Sequence, residues 1–91
     1  MPKLKPHSKS RFTGSVRSPE NRLLTSWLKG KRISKGLTMR QVGNLLNIPH
    51  SYISKIENRE RRLDVVEYVR YCQALSIDPL AGIEYMELPR E

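Results

Sequence analysis

Acidic residues are missing from this chain where they would be most expected: no aspartate or glutamate occurs from Asn21 to Ile56. Other absences narrow the field. A single cysteine, Cys72, excludes an intramolecular disulfide framework and points to a reducing compartment. No apolar run approaches the length of a bilayer span, and no signal-peptide core follows the lysine-rich start, so the expected location is cytoplasmic, with no membrane partner. His7 and His50 have no cysteine or carboxylate at ligand spacing, which argues against a metal site. No Ser/His/Asp grouping, glycine-rich phosphate loop or pair of carboxylates stands out, so neither an enzyme nor a bound cofactor is expected.

What is present is positive charge, unevenly placed. The 91 residues carry a net charge of +8, with a pI near 10.1. Residues 1–62 hold 15 Lys/Arg against 3 Asp/Glu, whereas residues 63–91 hold 2 against 6. A uniformly solvated surface would not segregate in this way. Such a balance favours a polyanionic partner, nucleic acid first and an anionic membrane surface second.

Length and composition allow one small domain plus a tail. Residues 1–18 read as a basic arm with Lys3, Lys5, Lys9, Arg11 and Arg17, and only Leu4, Phe12 and Val16 to anchor it. It is either a solvated, disordered segment or an arm that lies along DNA, and DNA can order such an arm. Residues 19–91 read as an all-α domain of five helices with short loops. The first is expected from about Pro19 to Lys35, capped by Ser18, with Leu23, Leu24, Trp27, Leu28 and Lys31 on one face and Gly36 as its stop. The second starts at Thr38 with Gln41 three residues on, buries Val42, Leu45 and Leu46, and ends at Asn47. The third runs from about Pro49 to Glu57 with Ile53 and Ile56 inward. A loop from Asn58 to Leu63 leads to a capping box, Asp64 to Glu67, that opens the fourth, with Val65, Val66, Val69, Cys72 and Tyr68 facing in. Asp78 and Pro79 open the fifth, which is expected to bury Leu80, Ile83 and Met86.

The spacing over residues 38–58 carries the functional signal. Val42 and the small Gly43 sit where two helices cross closely, Leu46 and Ile48 flank the turn residue Asn47, and Ile53 and Ile56 return to the same core. That is a helix-turn-helix, and it turns His50, Ser51, Ser54 and Lys55 outward.

Here the chain resembles the Xre/Cro (lambda repressor-like) family of bacterial and phage helix-turn-helix regulators. The resemblance spans about Leu28 to Ile83. It rests on Lys31-Arg32, on Lys35-Gly36-Leu37-Thr38, on Val42-Gly43, on the string Ser51-Tyr52-Ile53-Ser54-Lys55-Ile56-Glu57-Asn58, and on Ala74-Leu75 before Asp78. It implies a compact five-helix domain whose third helix enters the major groove of double-stranded DNA, and two-fold homodimers on pseudo-palindromic sites, expected in a transcriptional repressor. Carried over by position, His50, Ser51, Ser54 and Lys55 read bases, with Lys55 the main source of specificity through guanine. Thr38, Arg40, Asn58, Arg59, Arg61 and Arg62 hold phosphates, whereas Tyr52 is divided between core edge and phosphate contact. The resemblance also implies a structural ion pair between Arg32 and Glu57.

Three departures stand out. Met39 replaces the family's usual glutamine, Asn47 replaces the usual turn glycine, and Asn58-Arg59 replaces the common Asn-Gly, so that a positive φ is expected at Asn58 or nowhere. Leu80, Ile83, Tyr85 and Met86 are either packed on the first and fourth helices or a dimer contact. Two other readings stand beside the regulator: an antitoxin-like module that binds a partner protein and autoregulates through DNA, and an adaptor that coats nucleic acid without reading sequence.

Overall fold

The computed structural model describes residues 16–88. They form α1 (Pro19–Ser34), α2 (Met39–Leu46), α3 (His50–Glu57), α4 (Val65–Leu75) and α5 (Pro79–Glu87), with no strand among the described residues. None of these helices is long and apolar enough to cross a membrane. Of the arm, Lys3, Lys5, Lys9 and Arg11 lie outside the described residues. At its end, the Val16 carbonyl accepts a 2.7 Å bond from Asn21 Nδ2.

Local chemistry sets the helix starts. Ser18 Oγ accepts from Asn21 N, and Pro19 follows at the first helical position. Thr38 with Gln41, and Asp64 with Glu67, form complete capping boxes: each cap side chain accepts the N3 amide, and each N3 side chain accepts the cap amide in return. Asp78 accepts from Leu80 N at the start of α5.

The helix ends share one device. After each of α1 to α4, a residue with positive φ turns the chain, and the next amide bonds back to a carbonyl five residues earlier: Leu37 to Arg32, Ile48 to Gly43, Glu60 to Lys55, and Ile77 to Cys72. Only the first turn uses glycine, Gly36. The others use Asn47, Arg59 and Ser76. The turn after α3 corrects an expectation, since Asn58 has φ −90° and Arg59 takes the left-handed conformation. The 6→1 bond requires that conformation in the residue just before its donor, whatever occupies it.

The core is Leu28, Val42, Ile53, Ile56, Tyr68, Tyr71, Cys72 and Leu75, edged by Leu24, Trp27, Met39, Leu46, Ile48 and Leu63 among others. Thr25 is also buried, its hydroxyl donating to the Asn21 carbonyl one turn back. Several side chains expected inside are outside. In α4 the buried stripe is Tyr68, Tyr71, Cys72 and Leu75, while Val65 and Val66 are 76% and 59% exposed. Val66 falls opposite that stripe, and Val65 is the first residue of the helix, ahead of it. In α2 the packed residues are Met39, Val42, Gly43 and Leu46, which leaves Leu45 60% exposed on the flank.

Gly82 explains the orientation of α5. A methyl at this buried position would overlap the Tyr68 hydroxyl and stand 2.6 Å from a Trp27 ring carbon. The helix therefore lies flat on those two rings, and the Tyr68 hydroxyl donates to the Pro79 carbonyl. A face centred on Gly82 turns Leu80 and Ile83 to solvent and leaves Tyr85 and Met86 half-buried, so Leu80 and Ile83 are not the core residues expected of them.

Two substitutions test these constraints in opposite directions. Gly82→Ala is expected to lower unfolding free energy by about 1–3 kcal/mol, because neither ring can yield without disturbing the core. Arg59→Gly is expected to raise it by about 1 kcal/mol by removing the left-handed penalty of a side-chain-bearing residue. Urea denaturation of both variants against the parent chain checks the two signs.

Candidate nucleic-acid interface

The crossing of α2 and α3 is held by Gly43. A Cβ there would lie 2.8 Å from the Ile48 carbonyl oxygen and 3.2 Å from the His50 Cα, so the turn backbone rests directly on the glycine. Asn47, at φ 60° and ψ 42°, reverses the chain, and Ile48 N bonds to Gly43 O at 2.9 Å. Pro49 then starts α3 with φ −62° and no side-chain cap. Ile53 and Ile56 lock α3 into the core from its inner side.

A buried polar triangle fixes the other end of α3. Glu57, in its last turn, receives Arg32 of α1 at two points, Nε to Oε2 at 2.7 Å and Nη2 to Oε1 at 3.1 Å. Tyr71 of α4 donates its hydroxyl to the same Oε2 at 3.2 Å, and Arg32 Nη1 reaches the Leu37 carbonyl at 2.8 Å. Burial first, then the nearby carboxylate, pushes the Tyr71 phenol well above its usual range, so it remains a donor. Three helices and the α1–α2 loop thus meet on one carboxylate. No buried side-chain nitrogen or oxygen among the described residues lacks a hydrogen-bond partner. Tyr71 and the Leu37 carbonyl had no motif to announce them. The only signal for Tyr71 was its place one helical turn from Tyr68 and Leu75.

The outer side of this frame carries the residues singled out for base contact. His50, Ser51 and Lys55 are exposed on α3, and Ser54 is half-buried, its Oγ 3.4 Å from Asn58 Nδ2. Thr38, Arg40, Asn58 and Arg62 are exposed, and Arg59 is half-buried. Thr38 Oγ1 accepts from Gln41 N, which leaves its hydroxyl proton available to an external acceptor. The acid-free stretch covers most of α1, all of α2 and α3 up to Ile56, whereas Asp78, Glu84 and Glu87 gather on and before α5. Positive charge therefore accompanies the presented face of α3.

Arg61 occupies a different situation from the other arginines of its loop. Its guanidinium pairs with Glu67 through both ends, Nη1 to Oε1 at 3.0 Å and Nη2 to Oε2 at 2.8 Å, and Nη1 also donates to the Arg62 carbonyl. The same group stacks over the Tyr52 ring, 4.3 Å from its centroid. Arg61, foremost, and the Asp64 amide hold the Glu67 carboxyl below its usual range against the effect of burial. The sequence marked Glu67 only as a helix cap, which hid its second role. On the inner side, burial pushes the Cys72 thiol up, as befits a small core residue. Among the described residues no group of three or more His, Cys, Asp or Glu could hold a metal ion.

The comparisons agree with this geometry. The helix-turn-helix family model matches residues 28–80. No curated protein matches the chain. Among solved structures, an XRE-family like protein from Pseudomonas syringae pv. tomato str. DC3000 is 35% identical, covering 75% of this chain and 83% of that one with a TM-score of 0.71. The restriction-modification controller protein C.AhdI from Aeromonas hydrophila is 23% identical over 71% of this chain and 98% of its own, with a TM-score of 0.67. The clp gene regulator ClgR from C. glutamicum is 19% identical over 75% and 88%, with a TM-score of 0.69. The last two share the fold.

The triangle makes a ranked prediction. Glu57→Ala strands the Arg32 charge and is expected to cost about 3–5 kcal/mol. Tyr71→Phe removes one bond to a charged group and is expected to cost about 1.5–3 kcal/mol. Chemical denaturation of the two variants gives the order, and a Tyr71→Phe loss as large as that of Glu57→Ala would contradict it.

Proposed function

The chain belongs to the XRE-type helix-turn-helix family of DNA-binding transcriptional regulators, and from that premise we propose that it is a sequence-specific repressor that places α3 in the major groove of duplex DNA. One observation carries the reading: His50, Ser51 and Lys55 stand exposed on a helix whose two ends are fixed, within a stretch that contains no acid. Lys55 donates to guanine O6 or N7 and supplies most of the discrimination, while Ser51, Ser54 and His50 read neighbouring base edges. Thr38, Arg40, Asn58, Arg59 and Arg62 take phosphates, with the α2 N-terminus adding backbone donors. The basic arm adds charge along the duplex. Repression follows from occupancy, since bound protein denies the DNA to other proteins. The work is done in the cytoplasm, where the chromosome is.

The protein acts as a homodimer through α5. Leu80 is 63% exposed and Ile83 is exposed one turn on, an apolar pair on the helix that carries the fewest cations. Two copies joined there present two third helices to sites about 34 Å apart, one turn of DNA.

Selecting bound duplexes from a random pool tests the whole reading. The expected product is a pseudo-palindrome with half-sites one turn apart, whereas equal affinity for selected and random duplexes would mean an adaptor that does not read sequence. Lys55→Ala is expected to relax discrimination at one base pair by about 1–3 kcal/mol. Leu80→Asp is expected to yield monomers in sedimentation and to weaken binding to the full site far more than to a half-site. An unchanged site preference in Lys55→Ala removes α3 as the reading helix.

A further inference from the structure

Arg61, Arg59 and Arg62 lie together in the loop after α3, and by charge alone all three are candidates for phosphate. The geometry separates them. Among the described residues neither Arg59 nor Arg62 has an acidic partner within ion-pair distance, whereas Arg61 is bound to both oxygens of Glu67, to the Arg62 carbonyl and to the face of Tyr52. A guanidinium paired through both ends already spends on a carboxylate the fork that would grip a phosphate. Glu67 is in turn held by the Asp64 amide, as part of the cap that starts α4. The clamp is therefore anchored in a helix start rather than in two loose surface side chains. It terminates on Tyr52, the third residue of α3, and so spans from α4 to the edge of the presented helix.

We infer that Glu67 withholds Arg61 from DNA phosphate and makes it a positioning residue, a brace that holds the Tyr52 ring and the adjoining edge of α3 to α4, so that a single carboxylate sets how many cations this loop offers to DNA. The inference rests on the DNA-binding reading above. It adds that the loop's phosphate contacts come from Arg59 and Arg62, with Arg61 acting through Tyr52.

The salt dependence of binding tests it, because each phosphate neutralised contributes about 0.9 to the slope of log K against log salt concentration. Glu67→Gln is the informative change: glutamine serves equally at the third position of a capping box, so the start of α4 is kept while the charge that holds Arg61 is removed. The double variant Arg61→Met, Glu67→Gln keeps the aliphatic stem over Tyr52 and restores the parent net charge. The expected pattern, on a selected duplex, is a slope steeper by about 0.9 in Glu67→Gln than in the parent, returning to the parent value in the double variant. A parent-like slope in Glu67→Gln with a slope shallower by about 0.9 in the double variant would show that Arg61 already sits on phosphate, and overturns the inference. Equal slopes in all three overturn it as well, since the freed cation then has no phosphate within reach. A parent chain that binds no duplex at any salt concentration defeats the DNA-binding reading itself and is seen before either variant is made.

Discussion

The Glu57 carboxylate is the point on which the rest of the domain depends. It is buried in the last turn of α3, and its charge is tolerable there only because Arg32 meets it with two parallel bonds and Tyr71 supplies a third. Those partners come from α1 and α4, and Arg32 also ties down the Leu37 carbonyl just ahead of α2. An apolar contact of similar size would permit sliding, because dispersion has little preference for direction. A forked pair has one geometry, so the rotation and height of α3 against α1 and α4 are specified together. The opposite end of α3 is set by contact instead, with the turn backbone lying on Gly43. A short helix of eight residues, marginal by itself, is thereby held at both ends.

Much of this was legible in the sequence. The caps at Ser18, Thr38, Asp64 and Asp78, the left-handed Asn47 and the inward Ile53 and Ile56 follow from local rules, and the starts of α1, α2, α4 and α5 follow from the caps. What escaped was decided by contacts between distant residues. Adjacent apolar residues such as Val65 and Val66 cannot share one helix face, and in the fold neither packs, because α4 meets its neighbours through Tyr68, Tyr71, Cys72 and Leu75. Gly82 looks like a weak point in a helix until Trp27 and Tyr68 are placed against it. Arg59 inherits its backbone conformation from the hydrogen-bond pattern of a helix end, a demand that overrides the preference of the residue for negative φ. The roles of Tyr71 and of Glu67 beyond its cap are tertiary in the same sense, since each meets an arginine-carboxylate pair that sequence spacing does not reveal.

Charge is organised by the same scaffold. The Arg32–Glu57 and Arg61–Glu67 pairs are both forked, and both tie α4 to α3, one through Tyr71 and the other through Tyr52. In each, an aromatic ring carries the link between an ion pair and a helix. Arg61 suits its place because its planar head bonds Glu67 at its edge and stacks on Tyr52 with its face at once, which a lysine ammonium cannot do. Asp78, Glu84 and Glu87 put negative charge on and before α5, away in sequence from the acid-free stretch.

Pro49 bears on the kinetics of encounter. No side chain caps the first turn of α3, where the Tyr52 amide bonds back to the Pro49 carbonyl, and the ring of Pro49 already holds the backbone angle from which the helix begins. An anion approaching this tip has no side-chain cap to dislodge and no turn to wind. For the proposed contact of α3 with DNA, this leaves the speed of association to collision and to the long-range pull of charge.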